Sequence, residues 1–163
     1  MQSKIIFLTG ASSGVGQYTA EYLAQQGHRV YGTSRKASFG HTVQKFPSGG
    51  QLSLIPLDVC DAASITTAVD YIWQKEGRID VLINNAGNGI AGPLEACSME
   101  DIRFQMETNF FGALAVTRAV LPLMRDQQAG RIINLSSLAA QIPIPYQSLR
   151  SEEHTSELQS RIT

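Results

Sequence analysis

The sequence predicts an α/β fold, a doubly wound parallel sheet, and three observations predict it. Short apolar runs alternate with longer helix-period segments over residues 1–149, the pattern of repeated strand–helix units. The apolar runs are rich in Ile, Val and Leu without strict alternation, as expected of strands covered by helices on both faces. A glycine-rich turn, Gly10-Ala11-Ser12-Ser13-Gly14-Val15-Gly16, joins the first apolar run to the first helical segment.

In chain order, strands are expected at 4–8 and 29–33, with a helix near 14–26 between them. Residues 38–50 carry scattered Gly and Pro and read mostly as loop. A strand at 52–57 leads to a helix at 62–75, where Asp61 can cap and Ile65, Ala68, Val69, Ile72 and Trp73 fall on one stripe. A strand at 79–83 follows. The segment 99–128 contains Asn109 and Gly112, with Pro122 near its end, and is expected to be bent or divided. The last strand is expected at 131–135.

A chain of 163 residues fits a single domain by the prior of about 100–200 residues. No apolar stretch approaches the roughly 20 residues of a membrane span, and the N-terminus leaves no room for a signal peptide. The chain is therefore expected to be cytoplasmic and off the membrane. A net charge of −1 gives no reason to invoke nucleic acid. Cys60 and Cys97 lack metal-site spacing and read as small buried hydrophobes, and the three histidines are scattered, so no metal is expected.

The motifs narrow the chemistry. Gly10, Gly14 and Gly16 sit where the backbone turns sharply and a pyrophosphate approaches a helix N-terminus. The second strand ends in Thr33-Ser34-Arg35-Lys36, two positive charges with no acid. Arginine at that place accommodates a 2′-phosphate, which favours NADP(H) over NAD(H), with Ser13 as a further donor. On local grounds a helix-capping role for Asp58 or Asp61 is as good a reading as a ligand contact from Asp58. Asn84-Asn85-Ala86-Gly87 lies at the carboxyl end of a strand, where open α/β sheets bind ligands.

This series, continued by Asn109 and Ser136-Ser137, resembles the short-chain dehydrogenase/reductase family with its Rossmann-like fold. The resemblance implies cofactor contacts from Gly10, Ser12, Ser13, Gly14, Val15, Gly16, Arg35, Asp58, Val59, Asn85, Ala86 and Gly87. It also implies that Ser137 polarises a substrate carbonyl and that Asn109 holds a water in a proton relay. The family's remaining pair, Tyr-x-x-x-Lys, falls at Arg150 and His154. Arginine stays protonated and cannot shuttle a proton. Tyr146 stands too close to Ser137 to replace the missing tyrosine. Residues 150–160 resemble a translated sequencing-library adapter, which implies that evolved sequence ends at Leu149.

The expected organisation is an incomplete dinucleotide-binding domain at 1–149 and a non-native or disordered tail at 150–163, truncated after the fifth strand. The expected function is NADP(H)-dependent hydride transfer between nicotinamide and a small-molecule carbonyl or secondary alcohol. The parent is expected to be a homo-oligomer, and this chain to be inactive. The alternatives are a non-catalytic dinucleotide-binding module and an unstable gene fragment.

Overall fold

The computed structural model describes residues 2–40 and 43–137. Its strands are β1 (Ile5–Leu8), β2 (Arg29–Ser34), β3 (Val43–Lys45), β4 (Gln51–Pro56), β5 (Val81–Asn84) and β6 (Arg131–Asn134). Its α-helices are α1 (Gly14–Gln25), α2 (Ala62–Glu76), α3 (Met99–Met106) and α4 (Ala113–Asp126). They build one mixed sheet in the order β3-β4-β2-β1-β5-β6. Every neighbouring pair is parallel except β3 with β4.

The continuous apolar run of β1 has a direct cause. Ile5 and Phe7 face α2 and α4, packing with Ile65, Ile72, Val116, Val120 and Met124. Ile6 and Leu8 face the other way, with Ala20 and Ala24 of α1. Both faces are therefore dry, and all four residues are buried. At β6 the two faces differ. Ile132 packs into the α2–α4 core, whereas Ile133, which is in register with Ile83, points to the α1 side and is 38 % exposed.

Three expectations can be set against the structure. The described residues of 38–50 are mostly loop, as expected, with one short strand, because Val43–Lys45 pairs antiparallel with Gln51–Ser53. All three β3 residues are exposed, so no apolar pattern announces the strand. It forms because Phe46 and Gly50 close a tight turn, Phe46 N–H donating to Gly50 O at 2.9 Å, with Gly49 at φ +85. On α2 the buried stripe is Ile65, Ala68, Val69 and Ile72, and Trp73 is only half-buried at its margin. The 99–128 segment is divided, as expected, in the stretch that holds Asn109 and Gly112, while Pro122 lies inside α4. The break is a π-helical stretch at Glu107–Gly112.

One polar network ties α2 to the sheet. The Tyr31 hydroxyl donates to Glu76 Oε1, and Arg29 Nη2 lies 2.7 Å from the same oxygen. Burial raises the Tyr31 pKa, and the hydrogen bond to the Glu76 carboxylate raises it further. The folded state thus favours the protonated phenol. The stabilisation is complete below the unfolded phenol's pKa near ~10 and is lost as pH rises above it. Tyr31→Phe should cost about 1–3 kcal/mol at neutral pH. Urea unfolding of both proteins at about pH 8 and about pH 11 should show the gap closing at the higher value. A gap that stays constant would contradict this account.

Candidate functional site

The described chain has few buried polar side chains: Thr9, Thr33, Asn84 and Gln105. The first three sit at or just beyond the carboxyl ends of β1, β2 and β5. Groups buried this deeply need specific hydrogen-bond partners. They converge on one edge of the sheet.

The glycine turn forms the first wall. Gly10 has φ +71, and a Cβ there would lie 2.8 Å from Ala86 Cα. A Cβ on Gly16 would lie 2.1 Å from Gly10 O and 2.4 Å from Asn85 Nδ2. These two glycines are required first by the chain's contact with itself, not only by a ligand's approach. Gly14, at φ +56, has nothing within 4 Å of its would-be Cβ, so its requirement is conformational.

What α1 lacks at its N-terminus is as informative. No side chain caps it and its first turn carries no acid. By contrast, Asp61 Oδ1 accepts the Ala63 N–H in α2, and Ser98 Oγ accepts the Asp101 N–H in α3. The α1 terminus therefore keeps unsatisfied donors and the positive end of its dipole, which together suit an anion. Ser12 and Ser13 are exposed beside it.

The ends of β2 and β4 form the second wall. Thr33 Oγ1 accepts the Gly10 N–H at 3.1 Å and Thr33 O accepts the Ala11 N–H at 2.8 Å, so β2 fixes the glycine turn. Arg35 follows and lines the cleft together with Ser34; Lys36 is not among the lining residues. Asp61 is the α2 cap, which frees Asp58 from that duty. Asp58 Oδ1 accepts the Cys60 N–H at 2.9 Å, and Asp58 and buried Val59 face the cleft. The expectation of buried cysteines fails. Cys60 is exposed in this turn, with Sγ 3.6 Å from Thr108 Oγ1, and Cys97 is half-buried.

The loop after β5 is the floor. Thr9 Oγ1 accepts both the Asn85 and Ala86 N–H groups at 3.0 Å. Asn85 Nδ2 returns the contact, donating to Thr9 O and Gly10 O at 2.9 Å. Asn84 Nδ2 donates to Asn134 Oδ1 at 2.8 Å and to Thr117 Oγ1 at 2.9 Å, joining β5 to β6 and α4. Asn109 lies in the π-helical stretch. Its Oδ1 accepts the Asn88 N–H and its Nδ2 donates to Asn88 O, both at 2.8 Å. The stretch lies close to β4's exit, because a Cβ on Gly112 would meet Val59 Cγ2 at 2.7 Å.

Together these walls enclose a cleft of about 450 Å³. Of the residues expected to bind the cofactor, all except Gly14 line it. Thr33, Ser34, Leu57, Cys60, Asn88, Phe104 and Thr108 line it too and were not singled out from the sequence as cofactor contacts. Ser137 is half-buried just past β6, at the same edge of the sheet. Tyr146, Arg150 and His154 lie outside the described residues. A wider hollow of about 550 Å³ at the opposite end is lined by Ser3, Gln26, Gly27, Arg29, Ser48, Gly49 and Gln51. Its only formal charge, Arg29, is already paired with Glu76.

A Tyr-x-x-x-Lys spacing does occur elsewhere, at Tyr71 and Lys75, one turn apart on α2. Lys75 Nζ donates to the Tyr71 hydroxyl at 2.6 Å. The Tyr71 ring packs against Phe39, with centroids 4.6 Å apart, and against the edge of Tyr31. Neither residue lines the cleft. Spacing alone does not make this pair catalytic.

A parallel α/β sheet with an anion-ready helix terminus at its carboxyl edge defines a nucleotide-binding class of protein. The short chain dehydrogenase family matches residues 4–150, and the chain belongs to it. It is 48 % identical over 151 residues to the 3-ketodihydrosphingosine reductase of Bacteroides thetaiotaomicron, covering 93 % of this chain and 53 % of the relative. A short-chain dehydrogenase structure from Streptomyces avermitilis is 31 % identical, with a TM-score of 0.81 over 95 % of this chain and 57 % of that one. ElxO with NADP bound is 26 % identical, with a TM-score of 0.83 over 95 % and 64 % respectively. The chain thus spans about half the length of the curated relative. Among the described residues no helix is long and apolar enough to cross a membrane.

Proposed function

We propose that the cleft holds NADP(H) and that the protein this chain represents is an oxidoreductase acting on a ketone or secondary alcohol. The observation that carries the reading is the uncapped, acid-free N-terminus of α1 opening on the same cleft as Arg35. In this assignment the α1 N–H groups with Ser12 and Ser13 take the pyrophosphate. Arg35 takes the 2′-phosphate, its guanidinium matching that group in shape and charge. Asp58 and Val59 flank the adenine, and Asn85, Ala86 and Gly87 lie along the ribose. The nicotinamide, when bound, supplies or accepts the hydride. Ser137 polarises the carbonyl, and Asn109 with the Asn88 backbone orders the proton path. The relationship to a 3-ketodihydrosphingosine reductase supports a ketone on a long alkyl chain as the substrate class. We place the protein in the cytoplasm, as a homo-oligomer in its full form.

The residues at positions 150 and 154 support a second reading for the chain itself. With Arg150 and His154 in place of the acid–base pair, this polypeptide is a dinucleotide-binding module without turnover. Titration with NADP+ and NAD+ tests the cofactor assignment. NADP+ should bind at least about tenfold more tightly, since a charge-assisted hydrogen bond contributes about 1.5–3 kcal/mol. Arg35→Asp should reverse the preference. Equal affinity of the unmodified chain for both would overturn the assignment.

A further inference from the structure

Thr9, Thr33 and Asn84 belong to recognised motifs of the site, but the fourth buried polar residue, Gln105, belongs to none. It lies in α3, 1 % exposed, at a position where an aliphatic side chain would fill the same space without a polar atom to satisfy. Its Oε1 accepts the Ile90 N–H at 2.7 Å. Asn109 stands four residues further along the same helical run and grips both backbone groups of Asn88. Residues four apart share a helix face, so the two amides hold residues 88 and 90 of one loop. Asn88 lines the cleft, and the loop that it begins follows directly on Gly87.

We propose that Gln105 is a positioning residue: with Asn109 it forms a two-point clamp that fixes residues 88–90 and so holds Asn88 in its place in the wall of the cofactor cleft. The proposal rests on the cofactor reading above for its consequence, though not for its geometry. Asn109 alone leaves the loop free to pivot about residue 88. A second hold at Ile90 removes that pivot, so the wall is set before a dinucleotide arrives and no ordering cost is incurred on binding.

The test compares two substitutions of similar size that differ in the acceptor. Gln105→Met keeps the volume and removes the amide, whereas Gln105→Glu, held as the neutral acid by burial, keeps a carbonyl oxygen for the Ile90 N–H. Amide hydrogen exchange at Ile90 and NADP+ affinity are measured on the 163-residue chain and both variants, with thermal unfolding as the check of fold. In Gln105→Met, Ile90 should exchange at least about tenfold faster and NADP+ should bind about tenfold more weakly, the scale of one lost buried hydrogen bond. Gln105→Glu should restore both to within about threefold. Exchange at Ile90 indifferent to residue 105 overturns the clamp. Faster exchange with unchanged NADP+ affinity overturns its role in the cleft. If the unmodified chain binds no NADP+ while Ile90 exchange still follows the acceptor, the cofactor reading fails and the clamp stands.

Discussion

The 163-residue chain should oxidise no NADPH with any ketone or aldehyde above the buffer rate, even where it binds the cofactor. Carbonyl reduction needs a proton delivered to the developing alkoxide as the hydride arrives. Asn109 and Ser137 do not supply one at neutral pH, since an amide does not titrate and a serine hydroxyl serves only as a donor that polarises. A guanidinium at position 150 holds its proton too tightly to release it. Removing a general acid typically costs about 10²–10⁴ in rate, and the absent lysine removes a cofactor contact as well. Stopped-flow or steady-state absorbance of NADPH decides the matter. Tyr71→Phe serves as a control and should change nothing, because its hydroxyl bonds Lys75 outside the cleft. Turnover abolished by Tyr146→Phe or by Tyr71→Phe would show that a substitute phenol carries the proton.

The parts legible in the sequence were those whose cause is local or periodic. β1, β2, β4, β5 and β6 declared themselves because burial on one or both faces leaves an apolar run that needs no knowledge of neighbours. Whether Asp58 or Asp61 caps a helix or meets a ligand was open, because both stand just before α2. The extended backbone at Asp61, φ −117 and ψ 112, made the choice. β3 was hidden because its residues face solvent and its only reason to extend is a partner strand. The division of 99–128 was legible, since Asn109 and Gly112 marked that segment, but its π-helical form was hidden for a related reason. Gly112 meets Val59 from a distant part of the chain, and no local pattern marks such a contact. Cys60 was misjudged because residue type predicts average burial, whereas a turn between a strand and a capped helix sets its actual exposure. The glycines of the site were read correctly as a motif but for an incomplete reason. Gly10 and Gly16 meet Ala86 and Asn85, so the turn and the Asn-Asn-Ala-Gly loop are one packed unit.

Thr9 is the hinge of that unit, and Thr9→Val should be the most damaging conservative change in it. Valine matches threonine closely in shape, so no cavity or overpacking is introduced at a residue only 1 % exposed. What disappears is the oxygen that accepts both the Asn85 and Ala86 N–H groups at 3.0 Å. Two half-buried backbone donors are left without that partner, each costing about 1–3 kcal/mol when it cannot be rehydrated. The sum, about 2–6 kcal/mol, is a large share of the about 5–15 kcal/mol that a typical domain holds. Rehydration would require the Asn85–Ala86 backbone to swing away from β1. That movement would pull Asn85 Nδ2 from Thr9 O and Gly10 O and open the contact that keeps Gly10 against Ala86. The variant should therefore lose dinucleotide binding under conditions where it is still folded, and its urea midpoint should fall without a change in slope. Thr9→Ser keeps the oxygen and should recover most of the binding at some loss of packing. If Thr9→Val binds NADP+ as the unmodified chain does, the hydroxyl is not what holds the floor of the cleft. The backbone contacts of Asn85 would then have to be sufficient on their own.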